Sequence, residues 1–288
     1  MFENTWSANL AVFSVLLEES DDPKITELCI EGFMHAIKIA GFYAMNTERD
    51  AFVSSLSKFT QILTSTSSAV REIKEKNLEC IRALLNLATY EGNYLRSSWY
   101  YVLDCISKID YMHVLGTGAR RDADFFNANK RQLAKAGSVN LQRKLEREQI
   151  LMQNSELIVQ SVDMNKIDLI IQRSTQLDPD AIIDFVTSLC QVSREELADP
   201  ENPRKFSLQK LVEVADFNMN RIRFVWQKIW QALSEHFNIV GSHSNLNVAL
   251  YAIDSLRQLA DKFLMVCTKV LNFLERGIRE LSLPKRLP

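Results

Sequence analysis

Glycine and proline are scarce in this sequence of 288 residues, which contains only eight glycines and six prolines. A sheet protein needs turn residues about every ten positions, so this composition argues against a β-sandwich or a β-barrel. No apolar run reaches the roughly 18–20 residues that cross a bilayer. The first ten residues also lack the basic start and apolar core of a signal peptide. We therefore expect neither a membrane-spanning helix nor a cleaved leader.

Excess positive charge and catalytic motifs are also missing. The formal net charge is −2, whereas nucleic-acid binding depends on an excess of lysine and arginine. The four histidines are dispersed, no paired carboxylates complete a metal site, and there is neither a P-loop nor a nucleophile elbow. We therefore expect a noncatalytic protein without a metal, a cofactor or a nucleic-acid partner.

The five cysteines are scattered and form no CxxC pair. Each of them lies in an apolar helical context, which is typical of buried thiols. An odd, dispersed set predicts reduced cysteines in a cytosolic protein. These residues are Cys29, Cys80, Cys105, Cys190 and Cys267.

Helical periodicity is what the sequence has in abundance. Trp6, Leu10, Phe13 and Leu17 fall at i, i+4, i+7 and i+11, and similar stripes recur along the chain. The pattern predicts helices over 3–19, 23–42, 48–64, 69–90, 94–112, 155–174, 179–192, 207–219, 221–238 and 246–275. Helix pairs would then repeat every 40–47 residues or so, as in HEAT and armadillo proteins. We predict an all-α, HEAT/armadillo-like α-solenoid of about ten helices; an irregular helical bundle is the alternative.

Local start signals support several of these helices. Asp22-Pro23 and Asp178-Pro179 each offer an N-cap acceptor followed by proline at the first helical position. Thr47 and Asp50 have the spacing of a capping box. Arg49 would then pair with Glu48 or with a neighbouring helix.

A basic segment interrupts the helical pattern between residues 116 and 154. Ala119–Arg147 contains eight basic residues but only three acidic ones. This composition predicts a partly disordered insertion, helical from Asn140 onward, that contacts a membrane surface or an acidic face. A solvated linker is the alternative. The basic residues are Arg120, Arg121, Lys130, Arg131, Lys135, Arg143, Lys144 and Arg147.

The chain accordingly divides into four predicted parts. Residues 1–115 and 155–275 form two halves of one helical-repeat domain. Residues 116–154 are the insertion between them, and residues 276–288 are a tail.

Three stretches of this sequence resemble the large, BIG-type Arf guanine-nucleotide exchange factors of the Golgi. They are NTERDAFVSSLSKFT at 46–60, the segment from IKEKNLECIRALLNLATYEGNYL to the aspartate at 110, and SLQKLVEVADFNMNRIRFVWQKIW with its continuation to 264. They are similar to the first homology region downstream of the catalytic exchange domain. The catalytic loop of that family, close to FRLPGE, does not occur here.

The resemblance implies a regulatory segment rather than an exchange enzyme. We expect it to bind activated, GTP-bound Arf, to restrain the adjacent exchange domain, or both. The expected location is cytoplasmic and peripheral, on Golgi and trans-Golgi network membranes, in vesicle-mediated protein transport. A helical-repeat scaffold for another protein and a direct lipid-binding module are the alternatives.

Two polar sets within the third stretch are candidates for contact with a partner. They are Asn218, Asn220, Arg221 and Arg223 at a helix junction, and Asp254, Arg257 and Gln258 on one face of a later helix. Forked guanidinium groups and planar amides suit protein recognition. The same groups also suit an internal ladder that satisfies backbone carbonyls at the joints of a solenoid.

Overall fold

The structure is a computed structural model that describes residues 2–62, 71–126, 139–199, 202–221 and 223–282, with the side chains of 139–144 and 266–282 left out of the description. Within these ranges the regular secondary structure consists of thirteen α-helices and two 3-10 turns, and no strand is present. The helices are α1 (Phe2–Glu19), α2 (Pro23–Phe42), α3 (Asn46–Phe59), α4 (Glu75–Tyr90), α5 (Gly92–Leu95), α6 (Trp99–Gly116), α7 (Asp122–Phe126), α8 (Val139–Ser161), α9 (Met164–Arg173), α10 (Pro179–Ala198), α11 (Phe206–Asn218), α12 (Arg223–Gly241) and α13 (Leu246–Ser282). The 3-10 turns are Arg96–Ser98 and Ser174–Gln176.

The helices stack in two rows. In the first row, α1, α3, α6, α10 and α12 pack successively against one another. The second row consists of α2, α4, α9, α11 and α13, and α8 packs against α6. Stacked helix pairs that contact mainly their neighbours define an α-solenoid. The predicted all-α solenoid is therefore confirmed.

A continuous core lies between the two rows. It extends from Leu17 in α1 to Leu259 in α13. Near its centre Trp99 is 1% exposed, its ring lies 4.6 Å from that of Phe185, and its indole N–H donates to the Gly92 carbonyl over 3.0 Å. Burying a large apolar side chain contributes about 1.5–3 kcal/mol, so the apolar stripes read from the sequence account for the packing.

The predicted helix starts have mixed outcomes. Asp22 caps α2, since its carboxylate accepts from the Lys24 N–H at 2.9 Å. Asp178 precedes Pro179 at the start of α10 but makes no side-chain capping bond. The capping box of Thr47 and Asp50 is wrong, because α3 begins earlier, at Asn46, and its N-cap is Met45.

Two predicted helices are divided in the structure. A helix was expected over 94–112, yet α5 ends at Leu95 and Arg96 has a φ of +48°, which turns the chain before α6. The helix expected over 155–174 is interrupted after Ser161, where Asp163 caps α9 by accepting from the Asn165 N–H at 3.0 Å.

The predicted insertion contains regular structure as well. Both α7 and most of α8 lie within 116–154, and α8 bears out the expectation of helix from Asn140 onward. Helix α8 continues across residue 154. The boundary predicted there, between the insertion and the second half of the domain, stays a prediction. Four described cysteines, Cys29, Cys80, Cys105 and Cys190, are buried free thiols, whereas the Cys267 side chain lies outside the description.

Candidate functional site

The side chains of Arg221 and Asn218 join the end of α11 to the 3-10 turn that follows α9. We call such a polar contact between elements a joint. Arg221 follows the end of α11, and its Nη2 donates to the carbonyls of Ser174, Thr175 and Leu177 at 2.9, 3.0 and 2.7 Å. Its Nε donates to Asn218 Oδ1 at 2.6 Å. A planar guanidinium can serve several acceptors at once, so one side chain satisfies two carbonyls of the 3-10 turn after α9 and that of Leu177, which follows the turn.

The Asn218 side chain completes this joint from inside the core. It is 1% exposed, and its Nδ2 donates to Ser174 Oγ at 3.0 Å and to the Val214 carbonyl at 2.8 Å. Desolvation by burial lowers the pKa of the Arg221 guanidinium, and the nearby Asp178 opposes that effect. Arg221 and Asn218 thus have the hydrogen bonding of the internal ladder, with their polar groups directed into the solenoid.

The other two members of the first set lie at the surface. Asn220 and Arg223 are exposed, and neither makes a recorded hydrogen bond or ion pair with another described residue. Arg223 is the first residue of α12, beside the exposed ring of Phe224. Ile222, between them, lies outside the described residues.

The second polar set is a network on the surface of α13. Arg257 donates to Asp254 Oδ1 from Nε and Nη2 at 3.0 and 2.8 Å, and to Asp261 Oδ2 from Nη1 at 3.0 Å. Gln258 Nε2 donates to Asp254 Oδ2 at 2.8 Å. The pKa of Asp254 is lowered mainly by the hydrogen bond from Arg257 and, to a smaller extent, by that from Gln258. These side chains share one face, as their spacing predicted, and their hydrogen bonds are made within α13.

A second joint, which the sequence did not predict, surrounds Glu196. This carboxylate is 3% exposed, and it accepts from the hydroxyls of Ser107 and Ser207 and from the Ser207 N–H at 2.9 Å. Arg204 Nη2 lies 3.7 Å from it, and Arg204 Nη1 donates to the Ser107 carbonyl at 2.7 Å. The joint thereby links α6, α10 and α11. The only signal in the sequence was a glutamate and two serines at apolar positions of helical stripes.

Burial has the largest effect on the pKa of the carboxylates at this second joint. It raises the pKa of Glu196, while Arg204 and the serine hydrogen bonds act in the opposite direction. Burial also raises the pKa of the neighbouring Asp110 to about 6, and the charge of Glu196 adds to the increase. Perturbed carboxylates often mark catalytic sites, but ion-pair networks within a fold perturb them too. The contacts of Glu196 are those of a structural network.

A third joint, around Arg49 and Asp50, explains why the predicted capping box fails. Arg49 is 2% exposed and donates from Nη2 to Asp50 Oδ1 at 2.8 Å and to Ser97 Oγ at 3.0 Å. The other oxygen of Asp50 accepts from the Ser97 hydroxyl at 2.9 Å. Asp50 therefore connects α3 to the turn before α6 instead of capping its own helix.

Large aromatic side chains are exposed along the edge of the solenoid where helices of the second row end. Arg173, at the end of α9, lies over the Tyr90 ring at 5.8 Å and donates to the Thr89 carbonyl at 3.3 Å, which joins the ends of α4 and α9. The Arg221 joint lies on the same edge, between the end of α11 and the start of α12. We call this surface the aromatic edge; its exposed rings are Phe42, Tyr43, Tyr90, Tyr94, Phe217 and Phe224.

The basic residues of the predicted insertion are described only in part. Arg120 and Arg121 are exposed before α7, and Arg121 lies 4.0 Å from Asp124. Arg147 is exposed on α8. Lys130, Arg131 and Lys135 lie outside the described residues, and the side chains of Arg143 and Lys144 are not described. Their contact with a membrane or an acidic face stays a prediction.

Comparison with known proteins identifies the sequence family. No protein-family model matches the chain. It is 42% identical, over 92% of its length, to the brefeldin A-inhibited guanine nucleotide-exchange protein 3 of Arabidopsis thaliana, and 40% identical over the same share to protein 1 of that name from Homo sapiens. The chain belongs to this family of exchange proteins. The resemblance to BIG-type Arf exchange factors is thereby confirmed.

The chain spans only a small part of these exchange proteins. It covers 17% of the length of the Arabidopsis relative and 15% of the human one. It is therefore similar to one region of a brefeldin A-inhibited guanine nucleotide-exchange protein. Among the described residues, no helix is both long enough and apolar enough to span a membrane.

Proposed function

We propose that this chain is a noncatalytic regulatory domain of an Arf guanine-nucleotide exchange factor that binds GTP-bound Arf. The observation that carries the proposal is the match of 92% of the chain to exchange proteins, in a sequence without the FRLPGE-like catalytic loop. The solenoid supports this assignment, since such folds present long continuous surfaces to protein partners.

Preference for one nucleotide state is the essential property. Small GTPases order their switch segments around the γ-phosphate, so the GTP and GDP forms expose different surfaces. A domain that favours the GTP form recruits its exchange factor to membranes where product is already present. Recruitment of this kind requires differential affinity, since equal affinity for both states shifts nothing.

The exposed residues beside the Arg221 joint are the preferred contact candidates. Arg221 and Asn218 are occupied by the fold, whereas Asn220, Arg223 and the adjoining ring of Phe224 face outward. Exposed arginine and aromatic side chains are enriched among residues that contribute most to protein binding. The surface network of Asp254, Arg257 and Gln258 is the second candidate.

The proposal includes a location and a regulatory role. The domain acts on the cytoplasmic face of Golgi and trans-Golgi network membranes, held peripherally by lipid-anchored Arf. Contacts with adjacent domains of the same exchange factor would restrain exchange until Arf-GTP binds. Arf-GTP and the neighbouring domains would then compete for this solenoid.

Flotation of the purified chain with liposomes tests the proposal. Three surfaces are compared: liposomes carrying GTP-loaded Arf, liposomes carrying GDP-loaded Arf, and liposomes without protein. We expect at least tenfold preference for the GTP form, equivalent to about 1.4 kcal/mol. Replacing Arg223 and Phe224 by alanine should remove most of this preference, whereas the matched exposed change Glu235→Ala on α12 should not. Equal binding to both nucleotide forms would contradict the proposal.

Direct lipid binding is the second candidate function. The eight basic residues between Ala119 and Arg147 favour it, since each lysine or arginine near an anionic surface contributes about 1 kcal/mol. In that case binding to all three liposome surfaces would be equal, and would weaken steeply between low and high salt.

A further inference from the structure

An open cavity of about 660 Å³ lies between the N-terminal halves of α2 and α4. Its apolar lining includes Pro23 and Ile30, and the buried Thr26 lies beneath them. Further along α2, Lys38 Nζ lies 3.2 Å from Oε1 of Glu91, which follows the end of α4. We call the open part the α2–α4 groove.

The α2–α4 groove is strongly acidic. Five carboxylates line it, against two lysines: Asp21, Glu27, Glu31, Glu75 and Glu79, with Lys74 and Lys76. Both lysines are already paired, at 2.6 and 2.9 Å, with Asp21. Glu75 is paired as well, since its carboxylate lies 2.9 Å from Arg82.

Two glutamates of the groove lack such partners. Glu27 and Glu31 are exposed on α2, and neither makes a recorded hydrogen bond or ion pair with another described residue. They stand at i and i+4 on one helical face, where like charges repel and destabilise a helix. A cationic partner with an apolar side would relieve the repulsion and cover the apolar lining of the groove at Pro23 and Ile30.

We propose that the α2–α4 groove binds a lysine- or arginine-rich amphipathic helix of a partner protein. Residues 23–31 of α2 span about 12 Å at 1.5 Å per residue, which matches two to three turns of a docked helix. Apolar side chains of the partner would pack on Pro23 and Ile30, while its cations would pair with Glu27 and Glu31. Helix-in-groove docking of this type uses anchors at i, i+3, i+4 and i+7. The proposal does not depend on binding to Arf.

The test uses a synthetic 18-residue probe helix with leucine on one face and lysine on the other. Its affinity for the full chain is measured by fluorescence anisotropy at 50 and 300 mM salt. Glu27→Lys combined with Glu31→Lys should weaken binding about tenfold, because two favourable charge pairs become repulsive. A probe with glutamate in place of lysine should bind at least tenfold more weakly to the wild-type chain.

A matched control separates groove binding from general attraction of a cation to the protein. Glu148→Lys combined with Glu235→Lys changes the net charge equally, at exposed positions on α8 and α12. This control should bind the probe within about twofold of wild type. Hydrogen exchange should also slow within residues 23–31 when the probe is bound. Equal weakening by both pairs of substitutions, or binding unaffected by the groove pair, would overturn the proposal.

Discussion

Arg221 and Arg257 each follow a hydrogen-bond acceptor by three residues, yet their surroundings give them different roles. Arg221 donates to Asn218 and to three carbonyls of another turn, whereas Arg257 donates within its own exposed helix. Spacing in the sequence is the same in both cases. What differs is the element packed against each arginine, which is a property of the tertiary structure.

The first prediction concerns the Arg221 joint. Arg221→Ala should lower the free energy of unfolding by about 2 kcal/mol, because it leaves carbonyls of the 3-10 turn without donors. Arg257→Ala should leave stability unchanged, because its exposed ion pairs are screened by solvent. Urea unfolding followed by circular dichroism measures both. An unchanged midpoint for Arg221→Ala would refute its role as a joint.

A second residue-scale prediction concerns pH. Burial raises the pKa of Asp110 to about 6, above the value of about 3.9 in an unfolded chain. The folded state thus binds this proton more tightly than the unfolded chain does. The free energy of unfolding that this proton contributes is lost as the pH rises from about 4 to 6. Asp110→Asn should therefore be more stable than wild type at pH 7, by about 1–2 kcal/mol, and the difference should vanish below pH 4.

Chemical denaturation between about pH 3 and 7.5 measures this effect. Glu235→Gln, an exposed change on α12, serves as the control and should follow the wild-type curve. Parallel curves for Asp110→Asn and wild type would mean that Asp110 is not perturbed by its surroundings.

At the scale of elements, α8 is attached to the solenoid by a buried amide. Asn154 Oδ1 accepts from the Ile73 N–H at 2.9 Å, and its Nδ2 donates to the Arg71 carbonyl at 2.8 Å. The clamp connects α8 to the residues that lead into α4. Proximity in the sequence could not have revealed it, because the bonded residues lie more than eighty positions apart.

Removing this clamp gives the element-scale prediction. Asn154→Ala should cost about 1–3 kcal/mol, because the buried Ile73 N–H loses its acceptor. Amide hydrogen exchange should accelerate within α8 and at 71–74, with little change in α12. Gln153→Ala, at the exposed neighbouring position, should leave exchange as in wild type. Uniform acceleration throughout the chain would argue against a local clamp.

At the scale of the whole molecule, the solenoid separates its candidate surfaces. The aromatic edge follows the ends of second-row helices, whereas the α2–α4 groove opens between the first halves of two of them. The Arf and probe-helix experiments can therefore fail independently. We expect the chain with both Glu27→Lys and Glu31→Lys to lose binding to the probe helix but to keep its preference for GTP-bound Arf. That result would assign the two partners to two different surfaces.

Composition, apolar spacing and the three matching stretches were enough to predict the all-α architecture, most helix positions and the family. Apolar stripes and scarce turn residues are local properties, and helix formation follows from them. Thus α1 and α2 were predicted within a residue of their observed ends. The breaks at Arg96 and after Ser161 were missed because single residues override a continuing apolar pattern there.

Which polar residues serve the fold depends on tertiary contacts. Asn218 and Arg221 fitted both an internal ladder and a contact with a partner in the sequence, and the 3-10 turn after α9 supplies acceptors for the first of these roles. Their contact with a partner stays a prediction. The sequence did not predict the role of Glu196, because its partners belong to other helices, α6 and α11. The burial and the hydrogen-bond partners of a polar side chain depend on which helices pack against it. The spacing of residues along the sequence does not specify those packing partners.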